Sequence, residues 1–453
     1  MKNYKKFWKL GIEELGTKDF DINKDGELIV REGNYQYNIL DLIKKFGAPL
    51  EILFPWLVEK RLHNLFETFN YYLKAFNYKG KFFYHYPMKV SQNKEVVLPL
   101  ISEGANLEVS SANELWLVKK MWEQNQFDSR IKVICNGPKT NYYLSLISEL
   151  REKNLNIIPI IEDLLELQAL INYRGDVGVR VDLDVRVKSH WDKKIDRFGF
   201  SWQEILDLGR IRNLKILHYH NGKQVERLED LVAQAKRGME VYVKIKEKNP
   251  TLDTLNIGGG FAVSFTKKRM YTLDQGVKKI IKTLKKISEK MEIPPPHLIC
   301  EWGSYIVAPA QITIFRVLFE KKIENSIAKK WYIIDGSFMN DLIDTWAIRQ
   351  KWHVIPVNFM KEKLSRVWLA GSSCDSDDKY TAGGNYILLP RLDELGEAED
   401  LYIAVLDTGA YQDALASHHC LLSSPAKIVA QNGILMVARK RETPEEVGKL
   451  FGW

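Results

Sequence analysis

Eight short apolar runs, nearly all ending in a glycine or a polar residue, recur through the first two thirds of this 453-residue chain. They span residues 81–89, 106–111, 132–137, 156–163, 178–183, 214–220, 254–260 and 297–303. Stretches with helical periodicity separate most of the runs, for example at 112–127, 141–153 and 276–292. Buried apolar strands that alternate with helices are typical of a parallel sheet covered on both faces. Eight such units predict a closed (β/α)8 barrel, whose chemistry takes place at the carboxyl ends of the strands.

The chain is long enough for such a barrel, which takes about 250 residues, and for one further domain. A helix-like stretch at 56–76 precedes the first run, and after residue 303 the pattern changes to short β-type segments between polar loops. These segments lie at 310–319, 330–334, 402–405, 426–429 and 433–439. We therefore expect a barrel over 56–304, a C-terminal β domain over 305–453, and an N-terminal segment, 1–55, that contributes strands to the β domain.

The composition argues against several classes of function. The net charge of +8 is the small difference between 66 basic and 58 acidic residues, and no basic cluster with interleaved aromatic residues indicates nucleic-acid binding. The four cysteines form no CxxC pair, so reduced thiols fit better than a zinc site or a disulfide framework. The charged N-terminus lacks the apolar core of a signal peptide, and no run of about eighteen apolar residues could span a membrane. We expect a soluble, cytoplasmic protein without a metal site.

Four features that could carry chemistry stand at the ends of the runs. Lys89 ends the first run, where an amine partly removed from water can act as a nucleophile. His218 and His220 share one side of a strand at the end of the sixth run, an arrangement that suits a stacking ring or a core histidine better than a metal pair. Glu301, in the eighth run, is a carboxylate among apolar neighbours and needs a cationic partner. Three consecutive glycines, 258–260, end the seventh run and expose N–H groups that can bind phosphate.

Each feature alone also has an ordinary structural explanation, such as a solvated lysine, a salt bridge or a tight turn. Together they form the set that pyridoxal phosphate requires: an amine for a Schiff base, a phosphate site and an acid beside the ring nitrogen. A further candidate is Cys374, which lies with Asp375 and Asp378 in a polar loop of the β domain. Its thiol could donate a proton and the acids could bind a cationic substrate, or the loop is only a solvated turn.

Longer motifs around these residues resemble the pyridoxal-phosphate-dependent decarboxylases of the alanine-racemase fold. The resemblance runs from about residue 37 to residue 425 and is strongest for the biosynthetic arginine decarboxylases, with the diaminopimelate and ornithine decarboxylases as more distant relatives. It rests on YPMKVSQNKEVV (86–97), LEVSSANEL (107–115), ICNGPKT (134–140), HYHNGKQ (218–224), NIGGG (256–260), CEWG (300–303), DTWAIRQ (344–350), CDSDD (374–378) and TGAYQDAL (408–415).

The resemblance implies a role for each of these residues. Lys89 would form the Schiff base, the His220 ring would stack on the cofactor ring, and Glu301 would face the ring nitrogen. Cys374, contributed from the other subunit of a homodimer, would return a proton to the substrate carbon after carbon dioxide leaves. Phosphate contacts are implied for Gly258, Gly259, Gly260 and Tyr411.

Two positions depart from the family pattern. Lys223 stands where the family's HxGSQ motif has a phosphate-binding serine, and Ser304 stands where its ExGR motif has a phosphate-binding arginine. The two changes are opposite in charge. The phosphate cation would therefore have moved from one strand end to another, or phosphate binding would be weaker.

The expected substrate follows from the segment before the DTWAIRQ motif. Diaminopimelate decarboxylases have an NDLI segment followed by an arginine that binds a distal carboxylate, whereas here Asp344 follows NDLI. An acid favours a cationic substrate tail, with Asp341, Asp375 and Asp378 as additional candidates. The sequence thus predicts decarboxylation of a basic amino acid, arginine first, as in polyamine biosynthesis. Alternatives are a lysine, ornithine, diaminopimelate or carboxylated-polyamine decarboxylase and a non-catalytic regulatory homologue.

Overall fold

The computed structural model describes residues 3–185, 197–220, 222–396 and 399–453. The chain divides into two compact units, one formed by residues 59–262 and 269–306 and the other by residues 1–58, 263–268 and 307–453. The first unit contains the eight apolar runs, and the second contains the later β-type segments.

The first unit contains a closed barrel of eight parallel strands. Each strand pairs with the next one along the barrel, and the eighth pairs with the first to close the ring. The strands are Phe82–Pro87, Asn106–Val109, Lys132–Cys135, Asn156–Ile161, Val177–Asp182, Leu214–His218, Thr254–Asn256 and His297–Cys300. The predicted barrel is confirmed. Most strands end a few residues before the apolar runs do, because the last residues of those runs form the loops at the barrel mouth.

Helices follow most of the barrel strands, and their apolar faces explain why they pack on the barrel. The helix Leu273–Lys290 begins with a capping box, in which Thr272 and Gln275 satisfy each other's backbone N–H groups. Its buried residues recur every three to four positions, as at Val277, Ile280 and Leu284. The helices of this unit are Pro55–Ala75, which starts in the other unit, Lys94–Ser102, Ala112–Glu123, Asn141–Glu152, Leu164–Ala169, Trp202–Leu208, Leu228–Lys248, Leu273–Lys290 and Gly303–Val307.

Branched aliphatic side chains fill the barrel interior. Ile134, Ile158, Ile160, Ile216 and Ile299 form one buried cluster, contributed by four different strands. Truncation of such a residue to alanine costs about 2–5 kcal/mol of folding free energy, because a cavity remains. The closed interior leaves polar side chains at the strand ends, where they form the candidate site.

The second unit is built from β-sheets. A ten-stranded sheet contains the strands Leu50–Leu53, Gln311–Lys322, Lys330–Ile334, Val354–Pro356, Leu364–Ala370, Lys379–Tyr380, Ile387–Pro390, Tyr402–Val405, Ala426–Gln431 and Ile434–Arg439. A three-stranded sheet contains Phe20–Ile22, Leu28–Glu32 and Tyr35–Asn38. Short α-helices lie at Tyr4–Phe7, Ile39–Phe46, Asp344–Ala347 and Pro444–Lys449.

One strand of the larger sheet comes from the N-terminal segment. Leu50–Leu53 pairs antiparallel with Gln311–Lys322 on one side and parallel with Ala426–Gln431 on the other. Its four residues are all buried. The boundaries 1–55, 56–304 and 305–453 remain predictions. Among the described residues, no helix combines the length and apolar character needed to cross a lipid bilayer.

Candidate active site

Lys89 lies directly after the first barrel strand, in the short 3₁₀ turn Met88–Val90. Its Nζ donates a 2.6 Å hydrogen bond to Oε2 of Glu108, which is fully buried in the second strand. The other oxygen of Glu108 accepts hydrogen bonds from Ser110 Oγ at 2.7 Å and from Asn136 Nδ2 at 2.9 Å. Glu108 therefore holds the lysine amine at the barrel mouth, while a third of the lysine side chain stays exposed.

Lys139 is a second lysine near the strand ends, and its contacts differ. Its side chain is fully buried, and its Nζ donates to the carbonyl oxygens of Gly137 and Ile160 and to Oε2 of Glu166. These three acceptors match the three hydrogens of an ammonium group. Lys139 is thus occupied in holding adjacent loops, whereas Lys89 is the more accessible amine.

Glu301 extends the eighth strand and lies almost completely buried. Its Oε1 accepts a 2.7 Å hydrogen bond from Asn256 Nδ2, and Asn136 Nδ2 and His218 Nε2 each lie 3.5 Å from the same oxygen. Its Oε2 is buried with no hydrogen-bond partner among the described residues. Buried carboxylate oxygens are nearly always paired, so Oε2 is suited to a donor from a bound molecule.

The turn after the seventh strand requires glycine, because its backbone lies too close to neighbouring carbonyl oxygens to leave space for a side chain. Gly258 and Gly260 have φ angles of +63° and +98°, and an added Cβ would lie 2.3 Å from the Tyr219 carbonyl oxygen and 2.6 Å from the Gly222 carbonyl oxygen, respectively. A Cβ on Gly259 would lie 3.3 Å from the His220 ring. The turn, the half-buried His220 and the end of the eighth strand therefore lie against each other.

The two positions that depart from the family motifs both follow barrel strands: Lys223 comes after the sixth strand and Ser304 after the eighth. Both are partly exposed, and Asn221, which precedes Lys223 by two residues, lies outside the described residues.

Arg269 is a further cation near these strand ends, and the sequence analysis missed it. Its guanidinium lies 5.4 Å from the ring of Phe261, which follows the glycine turn, and 5.2 Å from the ring of Tyr305, which follows Ser304.

In the sheet unit, hydrogen bonds connect three segments that are far apart in sequence. Asn340, in the segment before DTWAIRQ, contacts the segment just after TGAYQDAL: its Nδ2 donates to the His419 carbonyl oxygen, and its Oδ1 accepts from the His419 N–H and from Ser417 Oγ. The Gly336 carbonyl oxygen accepts from the Ser372 N–H at 2.9 Å, which joins the first of these segments to the residues just before the CDSDD loop. These contacts bring the three segments together.

Asp344 is buried at the start of the helix Asp344–Ala347. Its Oδ2 accepts a 3.1 Å hydrogen bond from Gln412 Nε2, and its backbone N–H donates to Gln412 Oε1 at 3.2 Å. Gln412 belongs to the TGAYQDAL motif, whose Tyr411 has a φ angle of +68°. A tyrosine in this left-handed region costs about 1–3 kcal/mol and is typical of functional turns.

The other predicted substrate acids have structural contacts. Asp378 is buried and accepts backbone hydrogen bonds from Phe338 and Ser373, so it holds the CDSDD loop in place. Asp341 is buried and accepts from the Ser337 N–H at 2.8 Å, and burial raises the pKa of Asp341 to about 8. Asp375 is partly exposed and lies 3.5 Å from His419 Nε2. Of these three acids, only Asp375 remains accessible to a solute.

Cys374 is exposed in the CDSDD loop, and its Sγ lies 3.6 Å from Sγ of Cys420, which is also exposed. The hydrogen bond with Cys420, together with the charge of its sulfur, raises the pKa of Cys374. The Cys374 thiol therefore keeps its proton at neutral pH.

Several of these residues carried no sequence signal strong enough to find them. Glu108 and Asn256 lie on other barrel strands, and Asn136 directly follows one; they meet Lys89 or Glu301 only when the barrel closes. Position supplies a weak signal, because each is a polar residue at a strand end in an otherwise apolar run. Gln412 and Cys420 become recognisable only through the packing of the sheet unit.

Comparison with known proteins gives the family. The chain matches the model "Pyridoxal-dependent decarboxylase, pyridoxal binding domain" over residues 62–308 and the model "Pyridoxal-dependent decarboxylase, C-terminal sheet domain" over residues 239–409. It is 26% identical over 342 residues to the biosynthetic arginine decarboxylase of Bacteroides thetaiotaomicron, which covers 68% of this chain and 54% of the relative. The corresponding protein of Prochlorococcus marinus is 26% identical over 369 residues, 72% of this chain and 56% of the relative. The chain thus spans about half the length of these relatives.

Solved structures show the same fold. The biosynthetic arginine decarboxylase of Campylobacter jejuni superimposes with a TM-score of 0.81 at 22% identity, over 96% of this chain and 89% of the other. The diaminopimelate decarboxylase of M. jannaschii, in complex with L-lysine, also gives 0.81, at 23% identity, over 96% and 97% of the two chains. The lysine/ornithine decarboxylase of Vibrio vulnificus gives 0.68 at 23% identity, over 87% and 98%.

The residues at the barrel mouth fit pyridoxal phosphate. An accessible lysine amine, a turn of three consecutive glycines whose backbone carries no side chains, and a buried carboxylate oxygen without a partner among the described residues suit its aldehyde, phosphate and ring nitrogen. The fit and the two family models, of which the first alone covers more than half of the chain, lead to one conclusion. The chain belongs to the family of pyridoxal-dependent decarboxylases.

Proposed function

We propose that this protein decarboxylates a basic amino acid, with arginine as substrate and agmatine as product, as a step towards polyamines. The observation that carries the proposal is that Oε2 of Glu301 has no hydrogen-bond partner among the described residues, so it can accept from a cationic ring nitrogen at the mouth of the barrel. The named relatives are arginine decarboxylases, and this chain spans only part of their length.

When bound, pyridoxal phosphate provides the electron sink for the electrons left on the substrate carbon after carbon dioxide leaves. Lys89 would bind the cofactor covalently, with its amine oriented by Glu108. Oε2 of Glu301 would keep a proton on the ring nitrogen, while Asn256 holds the carboxylate through Oε1. His220, beside Gly259, would flank the ring, and the glycine turn with Lys223, Ser304 and Tyr411 would bind the phosphate.

Asp344 provides the proposed selectivity for a cationic tail. Its carboxylate is buried and oriented by Gln412, so a guanidinium could form a charge-assisted pair with it away from water. Asp375, the accessible acid beside Cys374, would add attraction for the same charge. A substrate with a distal carboxylate would instead be repelled by Asp344.

Release of carbon dioxide from arginine, ornithine, lysine and diaminopimelate tests this function directly. We expect arginine to give the highest kcat/KM and diaminopimelate the lowest. A preference for lysine or ornithine would retain the cationic-tail proposal but change the substrate. No release from any of the four by a cofactor-loaded, folded protein would favour a carboxylated polyamine or a non-catalytic role.

The Asp344→Asn variant should lose kcat/KM for arginine. Loss of one partner of a buried charge pair costs about 2–5 kcal/mol, which is roughly 30-fold to several-thousand-fold. Asp341→Asn is the matched comparison: burial raises the pKa of Asp341 to about 8, so its carboxyl is mostly neutral at pH 7 and an amide resembles it. We expect a small effect there. Equal kcat/KM for wild type and Asp344→Asn would refute the role of Asp344.

The Cys374→Ala variant should slow turnover by about 10²–10⁴-fold, the usual contribution of a positioned proton donor. We propose that Cys374 acts in the site of the partner subunit of a homodimer. Mixed dimers of Cys374→Ala and Lys89→Ala would then contain one intact site, so a scrambled mixture should recover about a quarter of wild-type activity. A mixture as inactive as its two parents would show that both residues serve the same subunit's site.

A further inference from the structure

Two thiols of the sheet unit lie within contact distance of each other. Sγ of Cys374 lies 3.6 Å from Sγ of Cys420, although 45 residues separate them in sequence, and both side chains are exposed. A disulfide needs its sulfurs at about 2.0 Å, so the two side chains would have to rotate towards each other to reach bonding distance. Proximity and exposure together make this pair a candidate for oxidation.

The other two cysteines provide an internal contrast. Cys135 and Cys300 are fully buried in the barrel unit, and burial raises the pKa of Cys135 to about 12 and that of Cys300 well above its ordinary value. A solute such as peroxide must reach a thiol to oxidise it, so burial protects Cys135 and Cys300 by excluding solutes. Oxidation should therefore be selective for the exposed pair.

Local contacts keep Cys420 beside Cys374. Cys420 lies in the 3₁₀ turn His419–Leu421, where its φ angle is +58°. On one side His418 Nε2 lies 2.9 Å from Oε2 of Glu442, and on the other the His419 N–H donates to Oδ1 of Asn340. These contacts hold the turn from both sides. The close approach of the sulfurs is therefore set by the fold.

We propose that Cys374 and Cys420 form a reversible intramolecular disulfide, with hydrogen peroxide as the class of oxidant. One thiolate attacks a peroxide oxygen, the O–O bond breaks, and water leaves after protonation, which gives a sulfenic acid. The second sulfur displaces the hydroxyl group of that sulfenic acid as a second water, and the S–S bond forms. The two cysteines lose two electrons and two protons, and a dithiol reductant restores both thiols.

This disulfide also has a functional consequence, which rests on the proposed role of Cys374 as proton donor. A sulfur in a disulfide has no proton to give, so oxidation would switch decarboxylation off. Because Cys420 is the nearby resolving thiol, the oxidation stops at the reversible disulfide and does not proceed to sulfinic acid. Formation of the disulfide would thus switch off Cys374 reversibly and would also protect it from oxidation to sulfinic acid.

Peroxide treatment of the cofactor-loaded protein, followed by thiol counting and peptide mapping, tests the proposal without reference to activity. We expect a loss of two of the four free thiols and a cross-linked peptide that joins Cys374 to Cys420. Dithiothreitol should restore all four. Peroxide-treated Cys420→Ser should give no such peptide and should instead accumulate sulfinic acid on Cys374, which dithiothreitol does not reverse.

Activity is then measured before and after oxidation. The activity of each oxidised protein is compared with that of the same protein in its reduced form. Wild type should lose activity and regain it with dithiothreitol, whereas the loss in Cys420→Ser should be irreversible. Absence of the cross-linked peptide, or its formation between two chains, would overturn the disulfide. Formation of the disulfide with full retention of activity would leave the modification site in place and overturn the role of Cys374 as proton donor.

Discussion

Lys89→Ala should abolish turnover, with a loss of at least about 10²–10⁴-fold, because the variant lacks the amine that we propose binds the cofactor covalently. Borohydride reduction of the wild-type protein should attach the pyridoxyl group to the peptide that contains Lys89. The yellow colour of the protein should disappear in the variant, or become removable by dialysis. Peptide mapping by mass spectrometry is the measurement that assigns the residue.

Lys89→Arg is the matched control for this experiment. Arginine keeps a cation beside the fully buried Glu108, so the fold should persist, yet its guanidinium cannot bind the cofactor covalently. We expect the arginine variant to be folded and as inactive as the alanine variant. Modification of Lys139 instead of Lys89 would contradict the assignment, and the three hydrogen bonds of the Lys139 ammonium argue against that result.

Glu301→Gln should lower kcat by about 10²-fold or more, since removal of one preorganised electrostatic contact in an active site commonly costs this much. The amide can still accept from Asn256, so the local packing should survive. An amide at the position of Oε2 cannot keep a proton on the ring nitrogen. The cofactor should therefore remain bound while its power as an electron sink falls, which separates this variant from Lys89→Ala.

Glu162→Gln is the comparison for Glu301→Gln. Glu162 is also a largely buried carboxylate after a barrel strand, but it accepts from the Gly137 N–H and lies 3.4 Å from Arg180 Nη1. We expect it to affect folding stability more than kcat. Wild-type kcat in Glu301→Gln, measured on protein with full cofactor content, would remove Glu301 from the mechanism.

Much of the fold could be predicted because its signal is local. Each barrel strand is a short apolar run, and helices such as Leu273–Lys290 repeat their buried residues every three to four positions. The β segments at 330–334 and 402–405 coincide with the strands Lys330–Ile334 and Tyr402–Val405. The ends of the barrel strands were less predictable, since apolar loop residues such as Ile257 extend the runs beyond the paired backbone.

The candidate site was predictable only in part. Lys89, Glu301 and the glycine turn stand at run ends, where a parallel barrel places its chemistry. The assignment of substrate acids was less secure, because a carboxylate in a polar loop can serve the backbone as easily as a ligand. The structure shows that Asp378 and Asp341 bind backbone N–H groups, while Asp344 is bonded to the Gln412 side chain and Asp375 remains accessible.

The sequence by itself determined the barrel and the family and predicted which strand ends carry the chemistry, because periodicity and motif spacing are properties of neighbouring residues. Only the tertiary structure decided which groups meet. Glu108 holds Lys89, Asn256 holds one oxygen of Glu301 while the other has no partner in the described part of the chain, and Cys420 lies beside Cys374. These pairs join residues 19 to 46 positions apart, and hydrogen bonds and thiol contacts act only over a few ångströms. Chain folding must bring the partners together before such contacts exist.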